Sequence, residues 1–289
     1  DSTFLPADFE YYSEMSEKSM NIIKKFADVF EYVGRDEAYL DVSEKVERDF
    51  IKAGHIAQQI KNEVREKTKL TCSVGISPNK LLSKIASGYK KPDGLTTVTP
   101  DKISEFIETL NLDDIHGIGK KTVQKLAEEG IETISQAKNL DIFILINMFG
   151  RKAGTYIYNA VRGIDDDPVK IRAPILQLSK ITTLKKDSVD YLFLEKSLFE
   201  LCEKLHPPIL KENKMFRSVG IYLTQNDLSS KTRSKMLRNP TLSLDELKKI
   251  SSQLLKDALE DQSILIRRLG VKVSELSDIE GQSNITSYF

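Results

Sequence analysis

The chain has few cysteines and no long hydrophobic run. Its two cysteines, Cys72 and Cys202, are too few and too far apart for a disulfide framework, which favours a reducing compartment. No segment approaches the roughly 18 consecutive apolar residues that span a membrane, and the first residues lack the basic-then-apolar pattern of a signal peptide. These absences predict a cytoplasmic protein without a membrane partner.

The sequence also lacks a net charge and has only modest amounts of glycine and proline. Its 289 residues include 43 basic and 43 acidic residues, 14 glycines and 9 prolines, and 40% are hydrophobic. This composition excludes collagen-like and wholly disordered chains, and the length allows about two domains. The first 50 residues hold 13 acidic but 6 basic residues. An acidic block followed by basic blocks indicates a metal site beside a polyanion-binding surface. A surface whose charge is uneven without any functional reason explains the pattern at least as well.

Hydrophobic periodicity divides the chain into several structural parts. Residues 1–97 are predicted to form a mixed sheet with helices, and residues 98–163 are almost purely helical. A Gly-, acid- and Pro-containing linker covers 164–173. Residues 174–278 then follow the β-α-β-β-α-β order of a ferredoxin-like unit, and residues 279–289 are predicted to be disordered. The expected fold class is α+β with several domains.

Adjacent carboxylates, Asp36 and Glu37, fall at the connection between two short predicted strands. Neighbouring residues of a regular strand point to opposite faces, so both carboxylates reach one cation only if they lie at the turn. Mg²⁺ takes carboxylate oxygens together with substrate phosphates, so this pair is a plausible partial site. Solvated acidic turn residues are the alternative interpretation.

Glycine-bounded turns mark the helical part. Gly117 and Gly119 precede a helix that begins with Lys120 and Lys121, and a second such turn covers 148–154. A helix N-terminus with nearby glycines favours a phosphate. The strand and third glycine of a dinucleotide motif are missing, so a duplex backbone phosphate fits better than a nucleotide. A simple helix connection without a ligand is equally compatible.

Basic residues of the last part alternate along a predicted strand. Lys231, Arg233 and Lys235 therefore share one face, with Arg217 and Lys180 on other strands. Such a face predicts DNA phosphate contacts that carry affinity and salt dependence but no sequence specificity. A charge-protected edge strand is the alternative.

Two further lysines, Lys80 and Lys84, are one helical turn apart near residue 79. They are candidates to neutralise a triphosphate or DNA, and an ordinary solvated helix face would carry them as well. The three histidines, His55, His116 and His206, have no ligand spacing with cysteine, so no zinc site is expected.

Six short segments, taken in order, resemble the Y-family translesion DNA polymerases, and most of all an archaeal form of the DNA polymerase IV (DinB) branch. The resemblance covers about residues 4–276 and is carried by Arg35–Asp41, Val74–Lys80, Leu82–Lys84, Lys90–Leu95, Ile115–Gly119 and Lys231–Lys235. It implies a palm portion at 1–97, a thumb with helix-hairpin-helix turns at 98–163, and a little-finger domain at 174–278.

The same resemblance implies template-directed DNA synthesis past damaged bases. Asp36 and Glu37 would be the catalytic residues that bind two Mg²⁺ ions, and Lys91 would contact the incoming triphosphate. The expected partners are primed template DNA and deoxynucleoside triphosphates, bound by a monomer.

The last residues resemble the short motif by which replication proteins bind a sliding clamp. One 3₁₀ turn would bring Ile285, Tyr288 and Phe289 together, with Gln282 completing the motif. The chain is therefore expected to bind a PCNA-like clamp, unless these aromatics occur at a frayed terminus by chance.

Two features depart from the family pattern. Nothing in the sequence matches the palm strand with a further metal-binding Asp, or the fingers that follow it, and a two-metal mechanism should fail without that ligand. The alternative is therefore a non-catalytic fragment that binds DNA and clamp. A protein with incidental basic faces is a third possibility, which predicts no salt-sensitive DNA binding. Arg35 also adds a cation beside the acidic pair.

Overall fold

The computed structural model describes residues 3, 5–171, 175–260 and 265–279. The chain divides into two compact units, residues 1–173 and residues 174–289. Among the helices of the described residues, none has the length and apolar character needed to cross a membrane.

The first unit begins with two small sheets and three helices. Strands β1 and β2 form an antiparallel hairpin, and β3 pairs with β4 in parallel. Side chains of Asp8, Asp49 and Asn79 accept backbone N–H bonds at the starts of the three helices. In order, the elements are α1 (Phe9–Lys24), β1 (Val29–Gly34), β2 (Glu37–Asp41), α2 (Phe50–Thr68), β3 (Val74–Ile76), α3 (Lys80–Tyr89) and β4 (Leu95–Thr97).

Five helices complete the first unit. Their buried side chains form one apolar core with Leu82 and Ile85 of α3, so the core continues across the predicted boundary between residues 97 and 98. Two 3₁₀ turns, Pro100–Lys102 and Leu112–Asp114, connect the elements. The helices are α4 (Ile103–Glu108), α5 (Lys120–Glu128), α6 (Ile134–Lys138), α7 (Ile142–Phe149) and α8 (Arg151–Ala160).

The second unit has the predicted β-α-β-β-α-β order, which is confirmed. Its four strands form an antiparallel sheet in the order β5-β8-β6-β7. The elements are β5 (Gln177–Ser188), α9 (Tyr191–Lys211), β6 (Lys214–Gln225), β7 (Ser230–Thr241), α10 (Leu244–Leu259) and β8 (Ile266–Asp278).

Helix α9 is longer than the sequence predicts. Its apolar periodicity predicts a helix over Ser188–Leu205, but the helix continues through Pro207 and Pro208. A proline inside a helix costs roughly 3 kcal/mol. The buried Ile209 extends the apolar face of α9 into the core of this unit, and its burial offsets part of that cost.

One face of this sheet packs against the two helices. Val219 and Ile221 of β6 and Val271 of β8 are fully buried in a core shared with α9 and α10. Because side chains alternate along a strand, the intervening residues lie on the opposite face, which we call the open face. The sequence of the strands thus separates a helix-covered face from an open one.

Candidate active site

The two predicted catalytic carboxylates line one wall of a cleft in the first unit. Asp36 lies exposed in the turn between β1 and β2, whereas Glu37 is the first residue of β2 and is half-buried. The prediction placed both residues at the connection, so the strand begins earlier than expected. The cleft has a volume of about 700 Å³ and is also lined by Lys84 and Lys91.

The acidic pair fits a hard cation in part. Among the described residues no group of three His, Cys, Asp or Glu side chains is placed to hold a metal ion. Mg²⁺ is held in many phosphate-transfer sites by one or two carboxylates plus substrate oxygens and water. Asp36 and Glu37 therefore have the right donor atoms for such a partial site.

Lys84 is the direct partner of Glu37. Its ammonium donates a hydrogen bond to Glu37 Oε1, and the two groups form an ion pair. This hydrogen bond, assisted by the positive charges of Lys84 and Lys91, holds the pKa of Glu37 below its usual value. Glu37 is thus ionised at neutral pH, as a metal ligand must be.

Lys91 lies on the loop that follows α3 and faces the same cleft. It is exposed, and its charge acts on Glu37. Carboxylates and ammonium groups therefore border one space. A triphosphate with its metal ion carries both signs of charge, and such a lining is complementary to it.

Lys80 does not lie on a solvated helix face, in contrast to one interpretation of the sequence. Its Nζ lies 2.9 Å from both carboxylate oxygens of Glu31 and 2.8 Å from Asp167 Oδ2, and 12% of the side chain is exposed. Burial disfavours its charge, but hydrogen bonds to Asp167 and Glu31 outweigh this and raise the pKa of Lys80. The structure uses this cation internally, which argues against the predicted phosphate contact.

Arg35 points away from the acidic pair. Its guanidinium lies 5.7 Å from the centre of the Phe9 ring, and its backbone carbonyl accepts a hydrogen bond from Ser16. Arg35 thus stacks on α1, although it directly precedes the two carboxylates in sequence.

The predicted phosphate-binding turn has one glycine that the backbone requires. Gly117 has a φ of +90°, and a Cβ there would lie 2.9 Å from Cε1 of Tyr156, whose hydroxyl donates to the His116 carbonyl. Gly119 precedes α5 with an ordinary φ of −91° and open space where a Cβ would be. Lys120 and Lys121 are exposed in the first turn of α5.

The second glycine-bounded turn repeats this arrangement. Gly150 has a φ of +79° and directly precedes α8, whose first residues, Arg151 and Lys152, are exposed. Two helix N-termini of the helical part therefore present backbone N–H groups together with cations, as binding of a DNA backbone phosphate would require.

The basic residues of β7 lie on the helix-covered face. Lys231, Arg233 and Lys235 pair with the buried Leu223, Ile221 and Val219 of β6. Residues that pair directly point to the same side of a sheet. Lys235 accordingly donates to Gln253 Oε1 of α10 at 2.9 Å. Since β7 is an edge strand, all three remain exposed beside the helices.

The other two predicted cations do not join this group. Lys180 pairs with Val271 and lies on β5, at the opposite edge of the sheet. Arg217 lies at an irregularity of β6 and donates from Nε to the Leu237 carbonyl at 3.2 Å. The single basic face predicted from the sequence is therefore divided between separate places.

The open face carries basic residues that the sequence analysis missed. Arg268 and Lys272 of β8 alternate with the buried Leu269 and Val271, so they project from the open side. Lys272 Nζ lies 5.3 Å from the centre of the Tyr222 ring on β6. The period-two alternation of this strand was visible in the sequence and would have identified them.

The predicted clamp-binding residues lie outside the described part of the chain. They are Gln282, Ile285, Tyr288 and Phe289.

Family models match three parts of the chain. Residues 1–88 match the impB/mucB/samB family, and residues 176–286 match the C-terminal domain of the same family. Residues 113–165 match a model described as the thumb domain of DNA polymerase iota.

Similar proteins cover the whole chain. A DNA polymerase IV from Nitrosopumilus maritimus is 64% identical over 100% of this chain and 79% of its own length. DNA polymerase IV 1 from Methanosarcina mazei is 36% identical over 100% of this chain and 80% of its own length.

Solved structures show the same fold. A Y-family DNA polymerase chimera of Dbh and Dpo4 has a TM-score of 0.87 and 28% identity, and the match covers 95% of this chain and 78% of the chimera. An insertion ternary complex of Dbh DNA polymerase has a TM-score of 0.65 and 28% identity, and the match covers 96% of this chain and 79% of the Dbh chain.

Proposed function

This chain belongs to the DNA polymerase IV branch of the Y-family DNA polymerases, and from that membership we propose how its residues divide the work of translesion DNA synthesis. The expected Y-family fold and polymerase activity are confirmed. The chain is a DNA-directed DNA polymerase that uses divalent metal ions. Nothing in the relatives favours the non-catalytic alternative.

We propose that the active site is the cleft lined by Asp36, Glu37, Lys84 and Lys91. The observation that carries this assignment is that the acidic pair and Lys91 border one space of about 700 Å³. When bound, Mg²⁺ would supply the positive charge that activates the primer 3′-hydroxyl and stabilises the pyrophosphate leaving group. The carboxylates of Asp36 and Glu37 present the oxygens that hold it.

The lysines of the cleft act on the substrate and on the acidic pair. Lys91 contributes an ammonium group that balances the charge of the incoming triphosphate. Lys84 orients Glu37 through its ion pair, and the same contact lowers the pKa of Glu37. Both roles use electrostatic preorganisation, which is most effective for a reaction in which negative charge shifts between phosphates.

For the DNA, we propose a palm at 1–97, a thumb at 98–163 and a little finger at 174–278, joined by the linker 164–173. Phosphates of the duplex would bind at the thumb turn and on the little finger, where contacts position DNA without selecting sequence. The assigned residues are Gly117, Gly119, Lys120, Lys121, Lys180, Arg217, Lys231, Arg233, Lys235, Arg268 and Lys272.

A sliding clamp is the proposed protein partner. The support is the tail sequence, in which Ile285, Tyr288 and Phe289 follow Gln282 at the spacing of a clamp-binding motif. Deletion of residues 282–289 should weaken clamp binding and leave DNA binding unchanged. Equal clamp affinity of the two forms would exclude this role.

The metal assignment is tested by primer extension with the double variant Asp36→Ala, Glu37→Ala. Extension in Mg²⁺ should fall by at least about 10³-fold, because the remaining side chains cannot hold the cation in place. The affinity for primed DNA should change less than about twofold, since the affinity for phosphates comes from lysine and arginine and the variant removes neither.

A matched control is Glu128→Ala with Glu129→Ala, which removes an adjacent, exposed carboxylate pair at the end of α5. This control should extend primers at the rate of the unmodified protein. Unchanged extension by the Asp36, Glu37 variant would show that the metal is held elsewhere.

A further inference from the structure

Lys61 is a buried cation of α2 that the proposed active site does not include. Only 8% of the residue is exposed. Its Nζ donates to the carbonyls of Cys72 and Asp93, each at 2.8 Å, and to Asp93 Oδ1 at 2.5 Å, and the carbonyl of Gly94 lies at 3.3 Å. An ammonium group has three protons, so these oxygens fully satisfy it. Burial of a charge is tolerated only with such partners.

Most of these oxygens belong to the loop that carries Lys91. Asp93 and Gly94 follow Lys91 by two and three residues, and Asp93 also forms an ion pair with Arg65. The backbone N–H of Gly94 donates to Ser73 Oγ at 3.0 Å. A Cβ at Gly94 would lie 2.3 Å from the Lys90 carbonyl, so the loop is tightly folded at this point.

Lys91 itself has weaker backbone support. Its N–H lies 3.4 Å from the Gly88 carbonyl, which is long for a hydrogen bond. Its side chain is exposed and reaches the cleft, where its charge acts on Glu37. The direction of a long, flexible side chain depends on the backbone from which it starts. The contacts at Asp93 and Gly94 fix that backbone.

We propose that Lys61 is a positioning residue for the incoming nucleotide, because it holds the loop 90–94 in the conformation that directs Lys91 toward the triphosphate. This inference rests on the proposed role of Lys91. A purely structural role of Lys61 makes a different prediction: its loss would lower stability without any selective effect on the nucleotide.

Single-nucleotide insertion kinetics with Lys61→Met test this proposal. We expect KM for the nucleotide to rise about tenfold, with a smaller change in kcat and an unchanged affinity for primed DNA, because binding of the nucleotide is affected first. Val64→Ala is the matched control, since Val64 is buried one turn further along α2 and its side chain packs in an apolar cluster with Ile22 and Ile60. This control should lower the melting temperature but leave KM unchanged. An unchanged KM in Lys61→Met would overturn the proposal.

A double variant distinguishes action through Lys91 from any other cause. If Lys61 acts through Lys91, the change Lys61→Met should alter KM less than about twofold in a Lys91→Ala background, because coupled residues are not additive. Additive effects would refute the positioning role. Lys91→Ala alone should raise KM. An unchanged KM there would instead refute the proposed nucleotide contact, so the two failures are separable.

Asp93→Asn provides a second variant if Lys61→Met does not fold. It removes the carboxylate charge from Lys61 but leaves the two carbonyl bonds, so we expect KM to rise about two- to threefold. Arg65→Ala is its control, because Arg65 contacts the same carboxylate from the exposed side. Asp93→Asn is then combined with Lys91→Ala in the same way. Additive effects of the two changes on KM would again exclude the positioning role.

Discussion

The ammonium of Lys84 forms an ion pair with Glu37, one of the two carboxylates assigned to the metal. A cation that binds Glu37 must therefore displace Lys84 or share an oxygen with it. We expect Lys84→Gln to increase the Mg²⁺ affinity of the polymerase–DNA complex by about two- to tenfold, since an ion pair no longer competes. Calorimetric titration without nucleotide measures this change.

The comparison needs a variant that loses the same charge elsewhere. Lys90→Gln removes an exposed lysine, whereas the ion pair of Glu37 in the described part of the chain is with Lys84. If both variants gain the same Mg²⁺ affinity, the effect is one of net charge and the competition is excluded.

Lys80 connects β1 to the beginning of the linker. Its ion pairs with Glu31 and Asp167 are accompanied by a hydrogen bond from the Lys170 N–H to Glu31 Oε2 at 2.9 Å. We expect Lys80→Met to speed hydrogen exchange of that N–H at least about tenfold, because Glu31 loses the cation that orients it. Mass spectrometry of peptides covering residues 163–171 measures the exchange.

The control for this prediction is Lys170→Met. Lys170 contacts Asp167 at 2.5 Å from the solvent side, and 56% of its side chain is exposed. Exposed pairs contribute little, so its removal should leave exchange nearly unchanged. Equal exchange in both variants would contradict the role of Lys80.

The two glycines of the first thumb turn should respond differently to alanine. Gly117→Ala introduces a Cβ at positive φ and 2.9 Å from Tyr156, and it should cost about 1–3 kcal/mol of unfolding free energy. Gly119→Ala meets open space at an ordinary φ and should change stability by less than about 0.5 kcal/mol. Chemical denaturation of both variants measures the difference, and equal losses would contradict this account.

Local sequence signals predicted the elements better than the contacts between them. The apolar periodicity predicts a helix over Leu244–Leu259, and these are the bounds of α10 in the structure, where the Ser243 side chain caps its start. Lys80 and Lys84 looked alike in the sequence, since both lie on one helix face. Their partners, Glu31 and Glu37, are 49 and 47 residues away and are brought near only by the tertiary fold.

Strand alternation has a similar limit. It correctly placed Lys231, Arg233 and Lys235 on one face but could not say which face the helices cover. That choice depends on the register with β6, and a shift by one residue would reverse it. Lys61 was not recognised because a lone lysine within a helix gives no local sign of the carbonyls that will surround it.

Acidification should weaken the attachment of the loop that carries Lys91. The hydrogen bond from Lys61, aided by Arg65, holds the pKa of Asp93 below its usual value. A carboxylate whose pKa is lowered by folding stabilises the fold at pH values above its pKa in the unfolded chain, which is about 3.9. This contribution is lost as the pH falls toward the lower pKa of the folded state. The stability difference between the unmodified protein and Asp93→Asn should therefore be constant from pH 5 to 7 and shrink below about pH 4. A difference that grows on acidification would contradict this assignment.

DNA should lie against the open face of the little-finger sheet. Helices α9 and α10 cover the other face, so a duplex can reach Lys231 and Arg233 only from the edge. On the open face Arg268 is exposed, and Lys272 lies over the Tyr222 ring. Each lost phosphate contact lowers the slope of log affinity against log salt by about 1. Arg268→Ala with Lys272→Ala should thus lower this slope by about 2.

Two cations on the helix side provide the control for that measurement. Lys196 and Lys204 are exposed on α9, and their joint replacement by alanine removes the same charge from the protein. Long-range attraction would weaken equally in both double variants. Only direct contact with DNA predicts that the salt slope falls for the Arg268, Lys272 variant and not for the Lys196, Lys204 variant. If the slope falls for Lys231→Ala with Arg233→Ala but not for the open-face variant, the DNA contacts the sheet only at the β7 edge and the open-face assignment is wrong.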